Sequence, residues 1–289
     1  MQLQTRQIVV DGVASPVLIG GVGATTEAVV FVHGNPGAGG DWESLMNLVG
    51  EFATVVAPDM PGFGGADRRA DRDYTVSAHA AHLGAVIDQL GISTVHLVAH
   101  DFGGPFALAW AAANHDKVAS VTLINTGLLL DYKWHRLARV WRTPVAGELL
   151  MRSTTRNVGR LLVRHDNPGL PGKWANRIVE HLLPDATKRA VLRLYRSTSA
   201  ADMDALIEPL RRCDPDVLVV FGAADVYIPV EQAERQRRVF PGARIEILPG
   251  VGHWAWLEQP DRVAGLVVPF LRERVGANVQ KINQTKELR

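Results

Sequence analysis

The chain has 289 residues, with 31 lysines and arginines against 30 aspartates and glutamates. This length predicts one large domain, or one domain with an insertion, and the balanced charge argues against a dedicated nucleic-acid binder. The single cysteine, Cys213, excludes an intramolecular disulfide and a cysteine-based zinc site. Because no apolar run approaches about 18 residues and the N-terminus lacks a signal-peptide pattern, we expect a cytoplasmic protein with no membrane partner.

Short apolar runs alternate with helical patterns over the first 125 residues. They predict strands at 7–13, 17–20, 28–33, 53–57, 95–99 and 118–124. Between the runs at 53–57 and 95–99, Ser77 is positioned to cap a helix that places Leu83, Val86 and Ile87 on one face. Strand–helix–strand alternation favours right-handed crossovers and therefore an α/β fold with a mostly parallel sheet.

The same alternation returns near residue 216, with predicted strands at 217–221 and 245–248 and helices at 230–239 and 258–273. The stretch between the two regions is strand-poor and rich in arginine, and it is interrupted by prolines. We therefore predict a core of residues 1–126 and 214–275, with a helical cap inserted at 127–213. Residues 276–289 are polar and aperiodic, which predicts a flexible tail.

The segment from Val95 to Pro105 is the most informative part of the sequence. A buried strand runs into a tight turn and then an alanine-rich helix, which is the setting of a nucleophile elbow. Small residues, Ala99 and Gly103, flank the turn, and Asp101 occupies the nucleophile position. The plainer interpretation is that Asp101 only caps the helix, and it loses weight when the other motifs are considered.

Three further motifs follow predicted strands. His33 to Gly37 forms a loop that can aim a backbone N–H at the site, with His33 a structural residue. Asp225 ends the strand at 217–221, and His253 lies in a glycine-flanked turn after the last strand. Nucleophile, acid and histidine then occur in the chain order of α/β-hydrolases. Five other histidines are expected at surface or helix positions: His79, His82, His115, His135 and His181.

The sequence resembles the α/β-hydrolase superfamily, and within it the aspartate-nucleophile branch of epoxide hydrolases and haloalkane dehalogenases. The motifs that carry the resemblance are HGNPG, PDMPGFGGADR, AHDFGG, GAADVYIP and GVGHWAWLEQP, and they span most of residues 7–275. The assignment to that branch rests on aspartate where esterases have serine. No metal or organic cofactor is implied.

A carboxylate at position 101 changes the expected chemistry. Aspartate is ionised at neutral pH and can attack a saturated carbon without a base, forming a covalent alkyl ester on the enzyme. His253, oriented by Asp225, would then activate the water that hydrolyses the ester. The backbone N–H groups of Phe102 and Asn35 would form the oxyanion hole.

The leaving group separates the two families that the sequence resembles. The epoxide hydrolases supply two cap tyrosines, for which Tyr195 and Tyr132 are the candidates here. The dehalogenases use a tryptophan after the nucleophile, and Phe102 in that place has no N–H to donate. Trp141 and Trp174 are expected to line an apolar substrate pocket.

We therefore predict an epoxide hydrolase that converts a small apolar epoxide and water into a vicinal diol. A haloalkane dehalogenase is the alternative, with Asn35 as a halide donor. A non-catalytic binding protein on the same scaffold is a third hypothesis, and a homodimer is left open.

Overall fold

The computed structural model describes residues 2–24 and 26–276. The described residues form an eight-stranded sheet in the order β1-β2-β4-β3-β5-β6-β7-β8. The strands are β1 (Gln4–Val10), β2 (Val13–Gly21), β3 (Glu27–Val32), β4 (Thr54–Pro58), β5 (Thr94–His100), β6 (Val118–Ile124), β7 (Asp216–Gly222) and β8 (Arg244–Leu248). The predicted α/β class with a mostly parallel sheet is confirmed, since every pairing is parallel except the two that β2 makes with β1 and β4.

Helices cover both faces of this sheet. Those that pack on the core are α1 (Glu43–Val49), α2 (Val76–Gln89), α3 (Gly103–Ala113), α11 (Glu231–Arg235), α12 (Ala255–Glu258) and α13 (Pro260–Arg272). The central strands β3 and β5 are buried almost throughout, because apolar clusters lie on both sides of them. Such burial explains why these strands are continuous apolar runs in the sequence.

In the described part of the chain, seven helices lie between β6 and β7. They are α4 (Arg136–Arg142), α5 (Ala146–Ser153), α6 (Arg156–Asp166), α7 (Gly172–Leu182), α8 (Asp185–Ser197), α9 (Ala200–Asp204) and α10 (Ile207–Cys213). We refer to residues 127–213 as the cap segment. Within the two described ranges, no helix is long and apolar enough to cross a membrane.

Several predicted boundaries are wrong in detail. Thr75, not Ser77, caps α2, because its hydroxyl accepts the hydrogen bond from the Ala78 N–H at 3.2 Å. The predicted helix at 230–239 is a short α-helix followed by a 3-10 turn. The predicted helix at 258–273 begins only at Pro260, since proline suits a first helical turn. Apart from Gly276, the predicted flexible tail lies outside the described residues.

Candidate active site

Asp101 lies in the turn that joins β5 to α3, with φ at +49°. Aspartate tolerates this left-handed conformation better than most residues do. The turn packs closely on the loop after β3: a Cβ on Gly34 would lie 2.3 Å from the Asp101 Cβ, and one on Gly103 would lie 2.2 Å from the Val32 carbonyl oxygen. Glycine at these two positions is therefore what lets the turn that carries Asp101 meet the loop after β3.

One oxygen of the Asp101 carboxylate already has a backbone partner. The Asn35 N–H donates to Asp101 Oδ1 at 2.6 Å, so this oxygen occupies the position where an oxyanion would be stabilised. Behind the turn, the Thr126 hydroxyl donates to the Asp101 carbonyl at 2.5 Å. These contacts fix the carboxylate and leave its second oxygen, Oδ2, facing His253 at 3.6 Å.

Asp225, after β7, orients the histidine. Its Oδ2 lies 2.7 Å from His253 Nδ1, and its Oδ1 accepts the backbone N–H groups of Tyr227 and Ile228 at 2.8 and 3.0 Å. Asn125, at the end of β6, donates to Asp225 Oδ2 at 2.9 Å. The acid is therefore held by four donors and cannot turn away from the imidazole.

The three charged groups shift one another's pKa values. Burial opposes the ionisation of Asp101, but its hydrogen bond and charge interaction with His253 outweigh burial and hold its pKa at about 2. Burial likewise opposes a charge on His253, while Asp225 and Asp101 raise its pKa to about 10. The resting site is therefore an imidazolium between two carboxylates.

A cavity of about 1000 Å³, its opening included, lies over Asp101 and His253. Its lining is mostly apolar and aromatic, and it includes Tyr195, Trp134, Trp141 and His135. Among the described side chains that line it there is no lysine or arginine. Nor do the described residues contain a group of three potential metal ligands. The site is thus suited to a neutral molecule.

The structure brings Tyr195 to the cavity, where its ring packs edge-on against Phe102 with 4.9 Å between centroids. Burial raises the pKa of Tyr195 well above its usual value, so the phenol keeps its proton. The adjacent Asn35 amide opposes this rise, although neither of its polar atoms has a hydrogen bond of ordinary geometry within the described ranges.

The other predicted site residues are placed less favourably. Tyr132 lines the cavity, but its hydroxyl donates to the Tyr227 carbonyl at 2.8 Å, so its proton is already engaged. Trp141 lines the cavity, as does Phe102. Trp174 does not: its half-buried indole packs on the apolar core and lies beneath Lys173 and Arg177. The expected contribution of Trp174 to substrate binding therefore has no geometric basis.

Sequence reasoning missed His135, which was expected to be a surface or helix residue. It lines the cavity, and its Nδ1 accepts the Ala138 N–H at 3.3 Å, capping α4. Because Nδ1 accepts, the neutral ring must carry its proton on Nε2. Burial lowers the pKa of His135 to about 4, so the ring is neutral and offers one donor. The available signal was the place of His135 directly before a helix, which is the N-cap position.

The buried histidines of α2 are a further correction. His79 and His82 were expected at surface or helix positions; both lie in α2, as the helix interpretation has it, but their side chains are enclosed by the core. Conversely, His33 is structural as predicted, since its Nε2 accepts the Met60 N–H at 2.9 Å. His100 contacts the His253 carbonyl at 3.1 Å and so supports the turn that carries His253.

Comparison with known proteins matches residues 27–260 to the family model described as the alpha/beta hydrolase fold. The chain is 28% identical over 261 residues to a 2-hydroxy-6-oxo-6-phenylhexa-2,4-dienoate hydrolase of Burkholderia cepacia, covering 85% of this chain and 87% of that protein. It is 27% identical over 283 residues to a 2-hydroxymuconate semialdehyde hydrolase of Pseudomonas sp. strain CF600, covering 95% and 96%.

A solved structure, a meta-cleavage product hydrolase from Pseudomonas fluorescens IP01, is similar with a TM-score of 0.77. The two chains are 23% identical, and the match covers 93% of this chain and 97% of that one. A likeness at this identity shows the fold alone.

These relatives overturn the function expected from the sequence. Their names describe hydrolases of 2-hydroxy-6-oxo-dienoates and related meta-cleavage products. The prediction of an epoxide hydrolase, with haloalkane dehalogenase as the alternative, is therefore wrong. The superfamily part of the resemblance is confirmed, whereas the branch within it is not.

Proposed function

The chain belongs to the alpha/beta hydrolase fold family, and from that premise we propose that it is a hydrolase of neutral, apolar molecules, which become bonded to Asp101 during turnover. The observation that carries the proposal is the hydrogen bond from the Asn35 N–H to Asp101 Oδ1. In a serine enzyme of this fold, such an N–H serves the oxygen of the substrate. Here the carboxylate's own oxygen takes its place.

This geometry suits hydrolysis of a bond formed at Asp101. Oδ2 attacks an electrophilic carbon of the substrate, and the leaving group departs with the electron pair of the broken bond. Water then adds to Cγ of Asp101 as His253 removes its proton. The negative charge develops on Oδ1, which the Asn35 N–H already holds. Collapse of this adduct restores the carboxylate and releases the product.

The charge change at Asp101 also switches His253. While Asp101 is ionised, it helps to keep the imidazole protonated. Once a substrate neutralises the carboxylate, that contribution disappears, the pKa of His253 falls, and the imidazole becomes a base. The base is therefore formed only after the first step, when water has to be activated.

The substrate class follows from the cavity. Its described lining holds no lysine or arginine, and the imidazolium of His253 is already paired with Asp225 and Asp101, so a substrate carboxylate would lack a partner. The dienoate substrates named for the relatives carry a carboxylate, so we do not assign them to this chain. Tyr195 and His135 are two of the cavity residues with a donor that can hold an oxygen atom of the substrate.

A matched pair of esters tests the preference for neutral substrates. In mono-4-nitrophenyl succinate, a carboxylate replaces the terminal methyl group of 4-nitrophenyl butyrate. We expect kcat/KM for the neutral ester to exceed that for the anion by about 10- to 100-fold, because the charge would be buried unpaired. Equal turnover of the two esters, or preferred turnover of the anion, would contradict the proposal.

Single turnover in ¹⁸O water tests the covalent step. Since 4-nitrophenolate is a good leaving group, its butyrate ester can acylate Asp101. We expect the label in the peptide that contains Asp101, because water attacks its Cγ. The Asp101→Asn variant serves as the unreactive control. Absence of label at residue 101, together with absence of a butyryl adduct on its peptide after rapid quenching, would show that Asp101 does not carry the substrate.

A further inference from the structure

Positive charge is concentrated in one stretch of the cap segment. Residues 133–164 contain eight lysines and arginines but a single acidic residue, Glu148. This stretch therefore carries a formal charge of +7, whereas the whole chain carries +1, which leaves −6 for the remainder. Within the described ranges, Arg156 is the one cation of the stretch that pairs with a carboxylate, that of Glu180. Most of these charges are consequently available to an external partner.

The same stretch exposes large apolar side chains. Six of the eleven such side chains exposed on the described residues lie here: Val140, Val145, Leu149, Val158, Leu161 and Leu162. Leu161 is 72% exposed and Val145 is 69% exposed. Exposed apolar side chains that are concentrated in this way mark an interaction surface more often than scattered ones do. We call residues 133–164 the basic apolar surface.

Helical spacing groups the apolar side chains. Val158, Leu161 and Leu162 lie three and four residues apart on α6, and Val145 precedes Leu149 by four residues at the start of α5. The cations alternate with them along the chain, at positions such as Arg152 and Arg160. This combination is typical of helices that lie in the interface of a membrane.

Part of the cavity wall is formed by residues of this surface. Leu162 lines the cavity and is also 37% exposed, so it stands at the boundary between the cavity and solvent. Leu150 of α5 and Val163 of α6 line the same wall. A partner that covers the basic apolar surface would therefore lie beside the entrance to the active site.

We propose that the basic apolar surface docks on an anionic lipid bilayer, with the cavity entrance beside the lipid. The exposed leucines and valines would enter the boundary between headgroups and acyl chains, and the arginines would pair with lipid phosphates and carboxylates. Docking of this kind needs no membrane-spanning helix, so it is compatible with the absence of one in the described ranges. The expectation of no membrane partner took account of spanning segments alone.

Charge favours a bilayer over a second copy of the chain. A two-fold symmetric contact would bring two identical +7 surfaces together, and their repulsion would oppose association. An anionic bilayer supplies the missing negative charge. The proposal does not depend on the chemistry assigned to Asp101, since binding is measured without turnover.

Vesicle sedimentation tests the proposal. We expect the full chain to sediment with vesicles of phosphatidylcholine that contain about 30 mol% phosphatidylserine, at about 0.1 M salt, and to stay in solution with pure phosphatidylcholine. Leu149→Asp combined with Leu161→Asp should weaken binding by about tenfold or more. Arg136→Gln combined with Arg139→Gln should weaken it by about tenfold as well.

Val22→Asp is the matched control, because Val22 is similarly exposed but lies between β2 and β3. It should bind vesicles as wild type does, and all variants should keep the activity of wild type on 4-nitrophenyl butyrate in solution. Equal sedimentation with both kinds of vesicle, or with neither, would overturn the proposal. So would a dimer in size-exclusion chromatography that Leu161→Asp dissociates without any vesicle binding, since the surface would then join two copies.

Discussion

Asp101, His253 and Asp225 are coupled through short contacts in a buried site. Oδ2 of Asp101 lies 3.6 Å from Nε2 of His253, and Asp225 lies 2.7 Å from the other ring nitrogen. With the pKa of Asp101 at about 2, its carboxylate is ionised at every pH at which the protein would be assayed. The protonation state of His253 therefore determines how turnover depends on pH.

We predict that kcat and kcat/KM respond differently to acid. The attack by Asp101 needs no proton transfer, so kcat/KM for 4-nitrophenyl butyrate should be nearly constant between about pH 5 and 8. Hydrolysis of the covalent adduct needs neutral His253, whose pKa has fallen by then. Accordingly, kcat should decrease as the pH falls below the pKa that His253 has in the covalent adduct. Steady-state profiles check this, and a parallel acid loss in both parameters would assign the base to the first step.

Tyr195 provides a second prediction at this scale. Tyr195→Phe keeps the ring contact with Phe102 but removes the hydroxyl, so the fold should be unchanged. We expect kcat/KM to fall by about 100-fold, because the phenol holds the oxygen of the substrate in the first step. Tyr74→Phe is the control, since the Tyr74 hydroxyl donates to the Arg69 carbonyl away from the cavity. Equal activity of the two variants would remove Tyr195 from the site.

At the scale of elements, α4 begins with a residue that has two roles. The Nδ1 atom of His135 caps the helix, and the side chain also lines the cavity, where its neutral ring carries a donor on Nε2. Serine also caps helices but is too short to replace the cavity donor. The substitution therefore separates the two roles, which a change to alanine would not.

We expect His135→Ser to keep the free energy of unfolding within about 1 kcal/mol of wild type, while kcat/KM falls by about tenfold or more. His135→Phe should lower both, since it keeps an aromatic ring but supplies neither cap nor donor. Thermal melts and ester kinetics on the two variants provide the comparison. If His135→Ser retained full activity, His135 would be only a helix cap.

The core elements could be predicted from the sequence because their signals are local. The strand β6 matches its predicted range of 118–124, and Asp101, Asp225 and His253 converge because each follows a strand of one parallel sheet. The role of Asn125 could not be predicted in this way, since its bond to Asp225 joins residues 100 positions apart. Such contacts depend on register, which periodicity does not specify.

The cap segment illustrates the opposite case. Its helices were expected, but which faces are buried depends on how the short helices pack together. Thus Trp174 was expected in the cavity and lies outside it, while His135 was expected outside and lines it. The chemistry of the leaving group was also inferred from the tyrosines of this segment. That inference was wrong, because it depended on the same packing of the cap helices.

On the scale of the whole molecule, buried histidines control stability in acid. Burial lowers the pKa of His79 to about 4 and the pKa values of His82 and His100 to about 3. Each should gain a proton on unfolding between its folded pKa and about 6.5, so the unfolded chain binds more protons in this range. The free energy of unfolding should then decrease as pH falls, by roughly 1.4 kcal/mol per pH unit for each histidine.

His82→Gln tests this dependence. Glutamine can keep the hydrogen bond to Ser15, which the imidazole makes at 2.9 Å, but it does not titrate. Between about pH 4 and 6 we expect a shallower loss of stability than in wild type, by one histidine's share. Denaturant unfolding at a series of pH values measures this slope. An unchanged slope would mean that His82 is protonated in the folded protein.

The hydrogen bond between Asn35 and Asp101 has a practical consequence for surveys of hydrolases. Fluorophosphonate tags detect enzymes of this architecture by phosphonylating a serine hydroxyl. The turn after β5 offers instead the carboxylate of Asp101, whose Oδ1 already accepts a hydrogen bond from Asn35. With the Asp101 chemistry proposed above, proteome-wide profiling with such tags would pass over this protein, however abundant or active it is. A census of hydrolases made in that way undercounts every member that has exchanged its alcohol for an acid.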